Sequence, residues 1–218
     1  MSIHFRGRKS FVLSCVTLVS AMLIARTELS AQNGARTTIR LPSFSSIHVP
    51  GNAHVVLRPA AFQRVTLVSG NLSYSRIAVT DAGVLVIDKC RRKCPPDYEL
   101  EIEIDLPSIA MLSVADGGWI RSEGRFSRQN EIEIDVSNGG TIDVRSMPAD
   151  RVIASIDQGG QIRTIAGVTL SAKVTHGGAV TYWGNARVKS SIEDGGCVSK
   201  GSADEIDAPP VDDGAQAI

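Results

Sequence analysis

Val136-Ser137-Asn138-Gly139-Gly140-Thr141-Ile142 is one of five copies of a single frame. Gly-Gly pairs begin at Gly117, Gly139, Gly159, Gly177 and Gly195, at intervals of 22, 20, 18 and 18 residues. Three residues before the first glycine stand Val114, Val136, Ile156, Val174 and Ile192, and three after it stand Ile120, Ile142, Ile162, Val180 and Val198. Every member of both columns is β-branched. Two residues before the first column come Leu112, Ile134, Ala154, Ala172 and Ser190; two before those come Ala110, Ile132, Val152, Leu170 and Val188. Apolar residues therefore recur with period two, the pattern of a strand that buries one face.

A strand, a two-glycine corner, a second short strand and an irregular return make one coil of a solenoid. A single coil cannot bury its own inner face, whereas stacked coils bury a continuous core and pair each strand with its equivalent in the next coil. The frame thus predicts an all-β, single-stranded parallel β-helix, or β-solenoid, with coils of about 18–22 residues. Its hand is expected to be right-handed, as connections between parallel strands almost always are. Glycine suits the corner because it reaches positive φ and permits close backbone approach.

From Thr38 to Ile109 the Gly-Gly frame is missing, but short alternating runs persist at Ile47-His48-Val49, Val55-Val56-Leu57, Val65 to Val68, Val84 to Ile87 and Leu100 to Leu106. These read as irregular first coils and the cap that a solenoid end needs. Ahead of them, Arg6, Arg8 and Lys9 precede an apolar run from Phe11 to Ala25, and Leu29-Ser30-Ala31 offers a cleavage site before Gln32. That run falls short of the roughly 20 apolar residues needed to span a bilayer. Residues 1–31 therefore read as a secretory signal peptide, 32–200 as the solenoid and 201–218, acidic with Pro209-Pro210, as a flexible tail. The expected location is periplasm, outer surface or medium, with no transmembrane segment once the signal is removed.

Cysteine usage agrees with an oxidising compartment. Cys90 and Cys94 bracket Arg91-Arg92-Lys93 just before Pro95-Pro96, so a small disulfide-clamped loop is available. Metal binding is the rival for this pair, and it lacks a second pair of ligands at a usual spacing. Cys197 reads as a small apolar residue in a turn. Lys+Arg and Asp+Glu are equal at 23 each, so no net charge draws the chain toward nucleic acid or an anionic membrane. Arg91-Arg92-Lys93 is a lone basic tip without interleaved aromatics, and no nucleic-acid partner is expected.

Phe44-Ser45-Ser46-Ile47-His48-Val49-Pro50-Gly51, Gly83-Val84-Leu85-Val86-Ile87, Leu106-Pro107-Ser108-Ile109 and the repeated [Val/Ile]-x-x-Gly-Gly-x-[Ile/Val] together resemble the bacterial head GIN domain, a family labelled an auto-transporter adhesin. The resemblance covers about residues 38 to 200. It implies a surface-exposed binding or structural role and brings no catalytic residues. Family members more often carry Ser-Gly-Ser-Gly-like corners where this chain has a polar residue before Gly-Gly.

That polar column runs Asp116, Asn138, Gln158, His176, Asp194. Strand parity points it inward at the corner, where side chains can bond free turn amides and stack as a ladder. Adjacent coils lie about 4.8 Å apart, so Asp116 and Asp194, four coils apart, are separated by about 19 Å and cannot share a substrate bond. The enzymatic alternative is polysaccharide cleavage by Asp157 and Glu193, outward carboxylates two coils and roughly 10 Å apart, just beyond the separation that suits an inverting pair. Glu131 and Arg151 read as a cross-strand charge pair. Trp119, Tyr182 and Trp183 form no column of the kind a carbohydrate platform needs. The expectation is an exported, non-catalytic binding, adhesin-like or structural protein without cofactor or metal. Its partner is an unknown surface ligand or envelope component, and a homo-oligomer is open to it because solenoid ends expose strands.

Overall fold

The computed structural model describes residues 36–90 and 93–206. Residues 1–31, where the sequence reads as a signal peptide, lie outside them, as do Arg91-Arg92 of the basic tip and the residues beyond Ile206. The strands, in chain order, are β1 (Thr37–Ile39), β2 (Ser46–Val49), β3 (His54–Pro59), β4 (Arg64–Ser69), β5 (Arg76–Val79), β6 (Val84–Asp88), β7 (Glu101–Leu106), β8 (Met111–Val114) and β9 (Trp119–Ser122). They continue with β10 (Gln129–Ser137), β11 (Thr141–Asp157), β12 (Gln161–Thr175), β13 (Ala179–Trp183), β14 (Arg187–Glu193) and β15 (Cys197–Lys200). Among the described residues the one helical element is a 3-10 turn at Ala203–Glu205.

The strands form the walls of a β-solenoid. One wall stacks β6, β2, β8, β10, the second half of β11, the second half of β12 and β14, all parallel. The other stacks β7, β3, β9, the first halves of β11 and β12, β13 and β15, again parallel. Registers follow the repeat: Ile134 pairs with Ala154, Ala154 with Ala172 and Ala172 with Ser190. Ile120, Ile142, Ile162 and Val180 are fully buried, as are Leu112, Ile132 and Ile134. Burying a β-branched side chain of this size contributes about 1.5–3 kcal/mol, so the repeated inner face is the main source of stability.

Two features depart from a simple run of coils in chain order. The coil made by β6 and β7 lies outside the earlier coil made by β2 and β3, so β2 sits between β6 and β8, and β3 between β7 and β9. His48 on β2 accordingly reaches Ser113 on β8, with Nδ1 3.1 Å from Oγ. The end of the stack is then closed by antiparallel strands, β4 on β7, β1 on β4 and β5 on β6. β1, β4 and β5 thus form the cap at that end. The outer coil's corner is expanded into residues 89–100, where Cys90 and Cys94 are joined with Cα atoms 5.9 Å apart.

The Gly-Gly corner uses its three residues for three purposes. Asp116, Asn138, Gln158, His176 and Asp194 all lie in the left-handed region, with φ between 50° and 60°. Entering that region ends the strand's alternation. Sequence parity points this polar column inward, and the structure corrects it: all five side chains face solvent. Gly159 continues at φ +79° with open space around an added Cβ, whereas a Cβ on Gly160 would lie 2.6 Å from the Gly140 carbonyl oxygen. Gly178 repeats the contact against Gly160, and Gly196 against Gly178. The first glycine serves the turn and the second serves the stack.

Beyond β15 the chain stays docked. The Trp183 indole N–H donates to the Ser202 carbonyl at 2.7 Å, Gly201 lies against the ring, and the Arg145 guanidinium sits 5.5 Å above it while donating to the Glu205 carbonyl. Arg145 is itself fixed by Asp143, 2.6 Å away, with both side chains nearly buried. Residues 201–206 therefore run down the outer wall away from the last coil.

These contacts order the glycine substitutions. Gly159→Ala is expected to cost about 1–2 kcal/mol, the strain of a left-handed L-residue. Gly160→Ala is expected to cost at least about 3 kcal/mol, because overpacking adds to that strain. Thr164 is fully buried and its hydroxyl has no partner among the described residues. Thr164→Val is expected to raise stability by about 1 kcal/mol. Urea unfolding of the three variants checks the ranking.

Candidate functional site

Links of the ladder these residues suggest form on the outside of the corner column at Asp116–Asn138 and His176–Asp194, and Gln158 joins neither pair among the described residues. The Asn138 amide donates to Asp116 at 2.8 Å. His176 Nδ1 lies 3.0 Å from Asp157 and its Nε2 lies 3.6 Å from Asp194. The imidazole pKa is raised, first by the hydrogen bond to Asp157 and further by the charges of Asp157, Asp194 and Glu193, against some desolvation. Asp157 and Glu193, the carboxylates of the glycan-cleaving alternative, do not converge. Thr175 pairs with both and stands between them. Two rungs of a parallel ladder put them about 10 Å apart, and Asp157 is engaged by His176.

Elsewhere on the walls, charges pair along or across rungs. Arg151 reaches Glu131 at 2.8 Å, the register pair the sequence suggests. On the other wall Glu103 holds Arg36 and Arg58, Glu123 holds Arg58 and Arg121, and Asp143 holds Arg145. Asp135, half-buried, has a raised pKa because burial and then Glu133 oppose its ionisation. Among the described residues no group of three or more His, Cys, Asp or Glu is arranged to hold a metal ion.

The out-of-order coil brings together rings that sequence spacing keeps apart. His54 stacks on Trp119 with centroids 4.7 Å apart, and Arg121 lies 4.9 Å from the Trp119 ring. Trp183 is buried under the docked segment instead of joining them. Cys197, expected in a turn, opens β15 and is exposed with a free thiol. A strand residue whose neighbour Val198 faces the core must face outward, so its exposure follows from period two.

A concave feature lies at the capped end. An open cleft of about 820 Å³ lies between β1 with the segment 40–45, the turn joining β3 to β4, and residues 107–110. A smaller groove of about 500 Å³ continues from 107–110 toward Arg128 and Glu131. Phe44, Val65 and Ile109 form a buried apolar floor. One wall is rigidified by Gln63, whose side chain accepts from the Phe44 amide at 3.1 Å and donates to the Phe44 carbonyl at 2.6 Å. Phe62 stands at the lip with 83% of its surface exposed. Arg40 and Arg64 also line the cleft. Arg64 lies 4.0 Å from Asp105, and Arg40 makes no salt bridge among the described residues. Arg40, Phe62, Gln63 and Arg64 stand outside the repeat frame and the alternating runs. The available signal was a phenylalanine in the turn Ala60-Ala61-Phe62-Gln63 between two apolar runs, where no core packing calls for it.

A charged imidazole is favoured at His176, so its ion pairs are fully present below the ordinary imidazole pKa and are lost as pH rises through the raised value. Asp157→Asn removes the largest cause and is expected to lower the His176 pKa. An NMR titration of the imidazole in both proteins measures the difference.

The family described as "Putative auto-transporter adhesin, head GIN domain" matches residues 43–179. A search of curated proteins finds no match. Among solved structures, a putative adhesin from Bacteroides fragilis is 16% identical with a TM-score of 0.47, over 76% of this chain and 95% of that one. A putative adhesin from Parabacteroides merdae is 12% identical with a TM-score of 0.40, over 77% and 96%. A structure titled putative lipid binding protein, from Parabacteroides distasonis, is 16% identical with a TM-score of 0.34, over 77% and 96%. With its repeat frame, its stacked walls and a match over more than half its length, the chain belongs to the head GIN domain family.

Proposed function

We propose that this chain is an exported, non-catalytic binding protein of the cell envelope that holds an anionic, partly apolar group of a surface ligand in the cleft at its capped end. The observation that carries this reading is the pairing of an exposed phenylalanine, Phe62, with an arginine lacking an ion pair, Arg40, at the mouth of an apolar cleft of about 820 Å³. Ligand sites are mostly concave and apolar with a few placed polar groups, and this volume falls in their usual range. A large exposed ring next to an open apolar floor loses hydration when a ligand covers it. A guanidinium beside it selects an acidic head group.

Export is supported by the basic and apolar residues ahead of Gln32 and by the adhesin description of the family. Among the described residues no helix is long and apolar enough to cross a membrane. A non-catalytic role is supported by the engagement of several wall carboxylates by single partners, as of Glu131 by Arg151 and Asp157 by His176. The carboxylates offered for glycan cleavage, Asp157 and Glu193, are separated by Thr175.

Dodecyl phosphate combines the two features the cleft would recognise, and dodecanol and inorganic phosphate carry one each. Calorimetric titration is expected to show saturable binding of dodecyl phosphate that exceeds either control. Phe62→Ser and Arg40→Ala should each weaken it by about tenfold, and the double variant Asp157→Asn/Glu193→Gln should leave it unchanged. Absence of saturable binding, or equal loss in the Asp157/Glu193 variant, would contradict the assignment.

A further inference from the structure

The two ends of the solenoid are finished differently. At one end antiparallel β1, β4 and β5 are added to the outer coil, so the edges there are the short strands β1 and β5. At the other, β14 pairs only with β12 and β15 only with β13, so the last coil leaves two strand edges without a partner among the described residues. The chain that follows runs down the wall to Trp183 and Arg145 instead of over the end. Ile192, whose equivalents Ile156 and Val174 are buried, is 46% exposed. An unpaired edge beside an exposed core residue is a template for another strand.

The sequence of β14 says which strand fits. The His176 amide donates to the Glu193 carbonyl at 3.0 Å, so Glu193 directs its backbone carbonyl toward β12. Backbone groups alternate sides with period two, and Val188, Ser190 and Ile192 therefore present their N–H and C=O groups to the open edge. An antiparallel copy of β14 related by a two-fold axis at Ser190 pairs all three: Ser190 with the partner's Ser190, and Val188 with the partner's Ile192. In that register Arg187 stands opposite the partner's Glu193, and Lys189 opposite the partner's Ser191. Sliding one way so that Val188 meets the partner's Val188 sets Arg187 against the partner's Lys189. Sliding the other way so that Ser190 meets the partner's Ile192 sets Lys189 against the partner's Glu193, but it leaves Val188 opposite the left-handed corner residue Asp194 and Arg187 outside the ladder. Only the register centred on Ser190 satisfies every free backbone group and opposes unlike charges. Neither Arg187 nor Glu193 makes a salt bridge within its own chain among the described residues.

We propose that the open end of the solenoid is a self-association surface, where β14 of two copies pairs antiparallel about a two-fold axis at Ser190. The interface is isologous, so each charge pair occurs twice and the valine and isoleucine of both copies close the exposed end of the core. The proposed cleft lies at the other end of the stack, so a dimer built this way leaves both clefts open. The two inferences stand or fall separately.

Sedimentation equilibrium of the chain tests the pairing. The unaltered protein should show a concentration-dependent monomer–dimer equilibrium. Arg187→Glu or Glu193→Arg alone should weaken dimerisation by about tenfold or more, since each opposes like charges at two symmetric places. The double variant Arg187→Glu/Glu193→Arg restores opposite charges in the same register and should recover the original association to within about threefold. That recovery also separates a broken interface from a misfolded chain. A protein that stays monomeric at every accessible concentration overturns the proposal. Single variants that associate normally, or a double variant as weak as the singles, overturn it as well.

Discussion

The backbone contact between second glycines of successive corners sets the geometry on which everything else rests. The Gly140 oxygen occupies space that a side chain on Gly160 would fill, and the same relation recurs from Gly160 to Gly178 and from Gly178 to Gly196. Coils can then approach until strands on both walls make parallel hydrogen-bond ladders, at a spacing of about 4.8 Å. With that spacing fixed, Val136 stacks over Ile156 and Ile156 over Val174, and the period-two core becomes continuous. The left-handed residue before each pair follows from the same corner, and its exposure explains why polar side chains collect there.

Much of this was legible because the repeat is written in residues whose physical roles are narrow. β-branched columns fix the inner faces, Gly-Gly fixes the corners, and the shrinking interval between frames reflects shorter returns: Ile120 to Ile132 spans 12 residues, Val180 to Val188 only 8. What could not be read was anything set by contacts between segments distant in sequence. The coil of Val84–Asp88 and Glu101–Leu106 stacks outside that of Ser46–Pro59, and nothing in either run's periodicity encodes that order. The His54–Trp119 stack and the cleft beneath Phe62 both depend on it. Parity also failed at Asp116 and its equivalents, because alternation holds only while the backbone stays extended.

A solenoid wall distributes chemistry in single file. Neighbouring rungs bring side chains close enough to pair, as Glu131 does with Arg151 and Asp157 with His176, but groups two rungs apart are already too distant to act on one bond. A constellation of three or four groups around a substrate atom therefore needs a loop or an end, where the regular spacing is broken. In this chain the breaks are the capped end, with its cleft, and the open end, with its unpaired strands. Phe62 and Ile192 are exposed at those breaks, as Ile153 and Val168 are on the strands between them.

The order of the coils is the point from which cap, cleft and open end all follow, and engineered cysteines report it directly. With Cys197 replaced by serine, His48→Cys/Ser113→Cys and Val86→Cys/Ser113→Cys are oxidised and mapped by peptide mass spectrometry. Stacking with β2 between β6 and β8 places residues 48 and 113 on adjacent rungs, at a Cα separation of about 4.8 Å that a disulfide can bridge, and residues 86 and 113 about 10 Å apart. The first pair should close within one chain and the second should not. Closure of the 86–113 pair with the 48–113 pair open would mean that the coils stack in chain order, and the architecture described here would be wrong.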